Sequence, residues 1–227
     1  MIAPDDARAD LYLNYLRAIG HDVGAPLRHI RGFADLLDDE LGRELAEEPR
    51  KLLSKVQQSA EIAEQMLYGV HELAHLAQGA RPSMISSLAD LFRAGCRSCE
   101  RSLTSLEITG DAELVSDQSL LRNAAEQLAS NAVLYAVRPE LKIDIDINDE
   151  QVICCFTDPG PGLTKAEMER AIKPFQRLRR RPSPAHVGLG LTVVHQVAIG
   201  LEGALASRQE NDGRFSVILK IPRRYPG

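Results

Sequence analysis

His21 stands directly before Asp22, and Pro26 follows five positions after the histidine, in the stretch His21-Asp22-Val23-Gly24-Ala25-Pro26-Leu27. An imidazole can serve as a nucleophile, and an adjoining carboxylate can fix its tautomer and raise the nucleophilicity of the free nitrogen. The surrounding apolar residues Leu13, Leu16, Ile19, Val23, Leu27, Ile30 and Leu37 recur at helical steps. His21 lies two positions from both Ile19 and Val23, which at about 100° per residue turns it to the polar side of that helix. Pro26 has no N–H to give the carbonyl of Asp22, so the helix is expected to loosen just after the histidine. A solvated histidine in an ordinary helix would account for these residues equally well in isolation. The weight of the motif therefore depends on the rest of the chain.

Three further clusters carry complementary chemistry. Gln127, Asn131 and Tyr135 recur every four residues, on one face of a helical segment. Amide oxygens there are suitable hard ligands for Mg²⁺. Asp158-Pro159-Gly160-Pro161-Gly162 follows a strand-like run. A carboxylate at a strand end can accept from an exocyclic amine such as that of adenine, and Gly160 and Gly162 let backbone approach a flat ligand. Gly188-Leu189-Gly190-Leu191 opens a helix, where backbone N–H groups and the helix dipole favour phosphate. It lacks the G-x-G-x-x-G pattern of a dinucleotide fingerprint. Arg177, Arg179, Arg180 and Arg181 precede it and are within sequence reach of phosphates. Each cluster also has an ordinary explanation: a polar helix face, a proline-glycine turn, solvated arginines. Their order and spacing are more specific than any one of them.

In that order they resemble the catalytic core of a sensor histidine kinase, of the GHKL ATPase superfamily, over about Leu11 to Pro222. His21-Asp22 through Pro26-Leu27 resembles the H box and Gln127 through Tyr135 the N box. Asp158-x-Gly160-x-Gly162 resembles the G1 box, Lys173-Pro174-Phe175 the F box, and Gly188-Leu189-Gly190-Leu191 the G2 box. The resemblance implies a dimerisation and histidine-phosphotransfer domain over 1–80 and an ATP-binding α/β sandwich over 81–227. It implies that His21 attacks the γ-phosphate of ATP with Asp22 as general base, and that Asn131 chelates Mg²⁺. Asp158 would recognise adenine, and Gln127, Tyr135, Gly160, Gly162, Phe175, Gly188, Leu189 and Gly190 would complete the nucleotide site. Residues 175 to 188 would form a lid. The phosphoryl group would pass to an aspartate on the receiver domain of a response regulator. Several positions depart from the family pattern. Gln127 replaces an asparagine, Leu134 replaces a basic residue, His186 replaces a glycine, and Ala25 stands where Thr or Asn supports phosphatase activity. The alternative on the same architecture is a phosphotransferase with a degenerate ATP domain that relays phosphate between receiver domains.

These residues need elements to carry them. Asp5 or Asp6 is expected to cap a helix reaching about Leu41, and a second helix to run from about Arg50 to Gln78 after a polar segment with Gly42 and Pro49. Leu52, Leu53, Val56, Ala60, Ala63, Met66, Leu67, Val70, Leu73, Ala74 and Ala77 give the second helix a coiled-coil-like seam. Two such helices form a hairpin with little core of its own, and pairing with a second copy into a dimeric four-helix bundle buries both seams. Gly79 to Ser83 reads as the domain boundary. Beyond it the expected elements are a helix over 86–99, a strand at 106–109, and a helix over 118–136 capped by Asp117. Strands at 141–148 and 151–157, a helix over 165–173, a mobile basic loop over 174–187 and a helix over 189–201 follow. Strands at 204–208 and 215–221 close the chain around the turn Asn211-Asp212-Gly213. The fold class expected is thus α plus α/β.

Composition excludes several alternatives. The chain has 227 residues, 44% of them hydrophobic, enough for a core in one or two domains. A net charge of −5 gives no general attraction to nucleic acid or anionic membrane. No apolar run approaches the ~18 residues of a membrane span, and the acidic start lacks a signal-peptide pattern. The expectation is a cytoplasmic protein with no membrane insertion in this chain. Cys96-Arg-Ser-Cys99 has the CxxC spacing of zinc or redox sites, and Cys154-Cys155 falls in an apolar strand that points the two thiols to opposite faces. All four are expected as reduced, mostly buried thiols. His71-Glu72-Leu73-Ala74-His75 matches H-E-x-x-H, the zinc-protease helix motif. It lies in a heptad-patterned helix, lacks an evident third ligand, and its histidines adjoin stripe positions Val70 and Ala74. They are read as flanking positions of the seam.

Overall fold

Apolar residues at steps of three and four turn the first part of the chain into two long helices, α1 (Pro4–Leu41) and α2 (Glu47–Leu76). This computed structural model describes residues 4–42, 44–76, 81–176, 178 and 188–223, without the side chains of 4–21, 65, 68 and 71–76. α1 starts at Pro4, so Asp5 and Asp6 lie in its first turn and do not cap it. Proline suits the first helical position because its missing N–H has no partner to serve. The same physics corrects the start of α2. Pro49, expected in the connection, sits in the first turn of a helix that begins at Glu47. Lys51 reaches back to Glu47 at 2.6 Å and to Glu48 at 3.4 Å. α1 continues through Pro26 as far as Leu41.

The two helices meet along a narrow line. Ala34 and Ala60 are each only 3% exposed. Arg31 donates to Glu64 at 2.9 Å, and Gln57 Nε2 donates to Asp35 Oδ1 at 2.9 Å. Much of the apolar stripe faces outward: Val23, Ile30, Leu37 and Leu41 on α1, and Leu52, Val56 and Met66 on α2, are exposed. A pair of helices has one line of contact, so small residues fill it and the larger ones remain outside.

The described residues fall into two compact units, this helix pair and the region from 81 onward. The second unit begins with β1 (Ser83–Ile85), which pairs antiparallel with β3 (Leu114–Ser116). This ribbon falls where the sequence suggested only a boundary. Between its strands lie α3 (Leu88–Gly95), a 3₁₀ turn (Cys96–Cys99) and β2 (Ser105–Thr109). The helix expected over 86–99 is thus shorter. Ser87 caps it by accepting from the Asp90 N–H at 3.1 Å, and it tightens to 3₁₀ after Gly95.

There follow α4 (Gln118–Tyr135), β4 (Glu140–Ile147), β5 (Gln151–Asp158), α5 (Lys165–Ala171), α6 (Gly190–Gly200), β6 (Ala204–Gln209) and β7 (Phe215–Pro222). Asp117 caps α4, and Thr164 with Glu167 forms a capping box on α5. Five strands make one sheet in the order β2-β4-β5-β7-β6, with β2 parallel to β4 and the other pairs antiparallel. Alternation buries Leu141, Ile143, Val152, Cys154, Phe156, Leu219 and Ile221 on one face. Helices α3, α4 and α6 supply the other half of the core, including Phe92, whose ring meets Phe156 at 5.2 Å. The result is a two-layer α/β sandwich.

Cys154 is buried and Cys155 half-exposed, on the opposite faces that strand alternation predicts. Burial pushes the Cys96 thiol up to about 12. Its sulfur lies 4.0 Å from the Ala125 carbonyl. All four cysteines are unbridged. Among the described residues no three His, Cys, Asp or Glu side chains converge as a metal cage. The side chains of His71, Glu72 and His75 lie outside the description.

Candidate functional site

The second unit gathers three of the sequence clusters. α4 presents Gln127, Asn131 and Tyr135 as half-buried residues along one flank. Leu120, Leu121, Ala124, Leu128, Ala129 and Ala132 fix that orientation by burying the opposite face. α6 begins beside them. A Cβ on Gly190 would stand 3.2 Å from Asn131 Oδ1 and 3.4 Å from Gln127 Oε1. Two amide side chains on one helix therefore abut the N-terminus of another, where the first backbone N–H groups have no partner within the helix. Leu189 precedes α6 and is buried. Gly188 has φ +75° and packs against the Gln176 carbonyl, a conformation other residues rarely adopt.

The loop after β5 lies further along, at the C-terminal end of α4. Val137, just past that helix, donates its N–H to the Pro159 carbonyl at 3.3 Å. Gly160 donates its N–H to Asp158 Oδ1 at 2.7 Å. Burial pushes the Asp158 carboxyl up to about 6, and the Gly160 bond offsets only part of that. The second carboxylate oxygen takes no hydrogen bond from the described residues, so it can accept from a ligand. Gly162 has φ +69°, where a side chain would also collide with Gln209. Tyr135 ends α4 next to this loop. Phe175 is 45% exposed with φ +61°, a sign that costs a non-glycine residue on the order of 1–3 kcal/mol.

The site is thus a run along α4 with a half-buried carboxylate at one end and the N-terminus of α6 with amide oxygens at the other. An amine-bearing flat ring fits the first, and anionic oxygens with a hard cation fit the second. Gln127, Asn131, Tyr135, Asp158, Gly160, Gly162, Phe175, Gly188, Leu189 and Gly190 all belong to this unit. Arg177, Arg179, Arg180, Arg181 and His186 lie outside the described residues. His21 and Asp22 belong to α1, in the first unit; the side chain of His21 is outside the description, and Asp22 is exposed. Nothing in the motif spacing marks Gln209 or Phe215, which the sheet brings to the glycine loop from far along the chain.

The chain is a helical hairpin followed by this sandwich. Residues 13–79 match the His Kinase A (phospho-acceptor) domain, and residues 116–225 match the histidine kinase-, DNA gyrase B- and HSP90-like ATPase. The chain thus carries the two domains matched by these models, in the order phospho-acceptor then ATPase. It is 28% identical to the sensor protein CzcS of Cupriavidus metallidurans, over 90% of this chain and 44% of that protein. It is 26% identical to the sensor histidine kinase GtrS of Pseudomonas aeruginosa, over 95% of this chain and 44% of that protein. The chain thus spans less than half the length of these relatives. Among solved structures, full-length ShkA in complex with AMPPNP shares the fold at a TM-score of 0.68 and 19% identity, over 92% of this chain and 45% of that one. The Acinetobacter baumannii histidine kinase AdeS does so at 0.60 and 19%, over 89% and 98%. No helix among the described residues is long and apolar enough to cross a membrane.

Proposed function

We propose that the chain is the catalytic core of a two-component histidine kinase. It phosphorylates His21 from ATP and passes the phosphoryl group to an aspartate on a response regulator. Residues 1–80 act as the dimerisation and phosphotransfer domain and 81–227 as the ATP-binding domain. The observation that carries this reading is the junction of Gln127 and Asn131 with Gly190, on the same helix that ends beside Asp158.

Asp158 accepts from the exocyclic amine of adenine, and Gly160 and Gly162 let the loop lie against the ring. The N–H groups at the start of α6, around Leu189 and Gly190, receive phosphate oxygens. Asn131 would hold Mg²⁺ through its amide oxygen, with Gln127 and Tyr135 beside it; a bound ion there supplies charge neutralisation on the phosphates. At His21 an imidazole nitrogen bonds to the γ-phosphorus as the bond to the β,γ-bridging oxygen breaks. ADP leaves and Asp22 takes the imidazole proton. Phosphoryl transfer of this kind depends on positioning and charge more than on covalent chemistry by the protein. Use of ATP places the reaction in the cytoplasm, and the outward apolar stripe on α1 and α2 supports a homodimer.

Calorimetry with ATP and Mg²⁺ tests the site. Wild type is expected to bind. Asp158→Ala removes the ring acceptor and weakens ATP and ADP alike. Asn131→Ala weakens binding at saturating Mg²⁺ far more than in chelator. Equal binding by all three proteins would contradict the assignment.

A further inference from the structure

Gln209 ends β6, opposite the glycine loop that follows Asp158. Its side-chain nitrogen donates to two carbonyls of the β6–β7 turn, those of Gly213 and Arg214, each at 3.0 Å. These bonds fix which way the amide faces. Its oxygen is left against Gly162, where a Cβ would stand 2.1 Å from Gln209 Oε1 and 3.1 Å from Phe215 Cδ2. Gln209 pairs with Phe215 across β6 and β7, and Phe215 pairs with Asp158 across β7 and β5. One row of the sheet therefore carries the amide, the ring and the carboxylate. The near end of the glycine loop is held by the Gly160 and Val137 N–H bonds. The far end, at Gly162, rests against Gln209.

We propose that Gln209 is a positioning residue for the adenine end of the nucleotide, which rests on the nucleotide reading above. It does not touch the ligand. It braces Gly162 from the β6–β7 turn, so that the loop keeps the curvature under which Asp158 meets the ring. Its removal loosens the loop and lowers affinity for the bound base, leaving the phosphate end on α4 and α6 as it was.

The test uses the full chain with Mg²⁺-ADP by calorimetry and with ATP in His21 labelling. Gln209→Ala is expected to weaken ADP about tenfold, the scale of one lost hydrogen-bonded brace. Gln209→Glu keeps the size and an oxygen but loses both donors and sets a carboxylate against two carbonyls, so it weakens ADP equally. In labelling, the apparent KM for ATP rises in proportion while the rate at saturating ATP stays within about twofold of wild type. Gln209 is exposed, so both variants should melt near wild type without nucleotide. Either variant binding ADP as tightly as wild type overturns this inference alone. So does a loss confined to the saturating rate. A wild type that binds no ADP overturns the nucleotide reading together with it.

Discussion

At Asp158 burial pushes the carboxyl up to about 6 from its ordinary value near 3.8, against one backbone donor from Gly160. Between about pH 4 and 6 the folded chain holds a proton that the unfolded chain has released. Stability therefore falls as pH rises through that window, and ionised Asp158 costs the fold about 1–3 kcal/mol at pH 7. Asp158→Asn keeps an oxygen for the Gly160 N–H and removes the charge. It is expected to melt a few degrees above wild type at pH 7, with the gap narrowing toward pH 4, while nucleotide affinity drops. A variant that melts below wild type at pH 7 would contradict this. Asp158, Gly160 and Gly162 were legible in the sequence because close backbone approach and a strand-end carboxylate leave a local pattern. Gln209 was not, because its contact with Gly162 depends on strand register between distant segments. The spacing of His21 from Ile19 and Val23 was equally local, but the phosphate source proposed for it lies on residues more than a hundred positions away.

Helix ends and small residues set the elements that carry these groups. Asp117 caps α4 through the N–H groups of Ser119 and Leu120, and also accepts from the Ser119 hydroxyl and the Arg81 N–H. Burial opposes its charge, yet these donors together hold it below the usual carboxylate value. Its contribution is therefore present above about pH 4 and lost as pH falls through the lowered value. Asp117→Ala is expected to cost about 2 kcal/mol in urea unfolding at pH 7, since several buried donors lose their acceptor. In the helix pair, Ala60→Leu forces a larger side chain into a line only 3% exposed, and should destabilise by about 1–3 kcal/mol. Periodicity located every long helix and the strands of the main sheet. It missed the β1–β3 ribbon, whose strands have three residues each, too few for alternation to register. It also misplaced helix starts where proline occupied the first turn, because the same residue reads as a breaker or an initiator according to position.

The whole molecule leaves Val23, Ile30, Leu37 and Leu41 exposed on α1 beside Leu52, Val56 and Met66 on α2. A stripe of that length is expected to be covered by a second copy. Light scattering should give about twice the 25.0 kDa chain mass, and Ile30→Asp with Leu37→Asp should return it to the monomer value. A wild-type monomer at micromolar concentration would contradict the bundle. The heptad seam is what points to a second copy in the sequence, since one hairpin cannot bury two seams. The central claim is that α1 carries the acceptor and the sandwich supplies the phosphate. Incubation with γ-labelled ATP and Mg²⁺ tests it most directly. The account predicts acid-labile, alkali-stable label that is lost in His21→Ala, retained on substituting His29, the next histidine along α1, by alanine (His29→Ala), and transferred to a receiver domain. Label lost in His29→Ala but retained in His21→Ala, or no label on a protein that binds ATP, would contradict it.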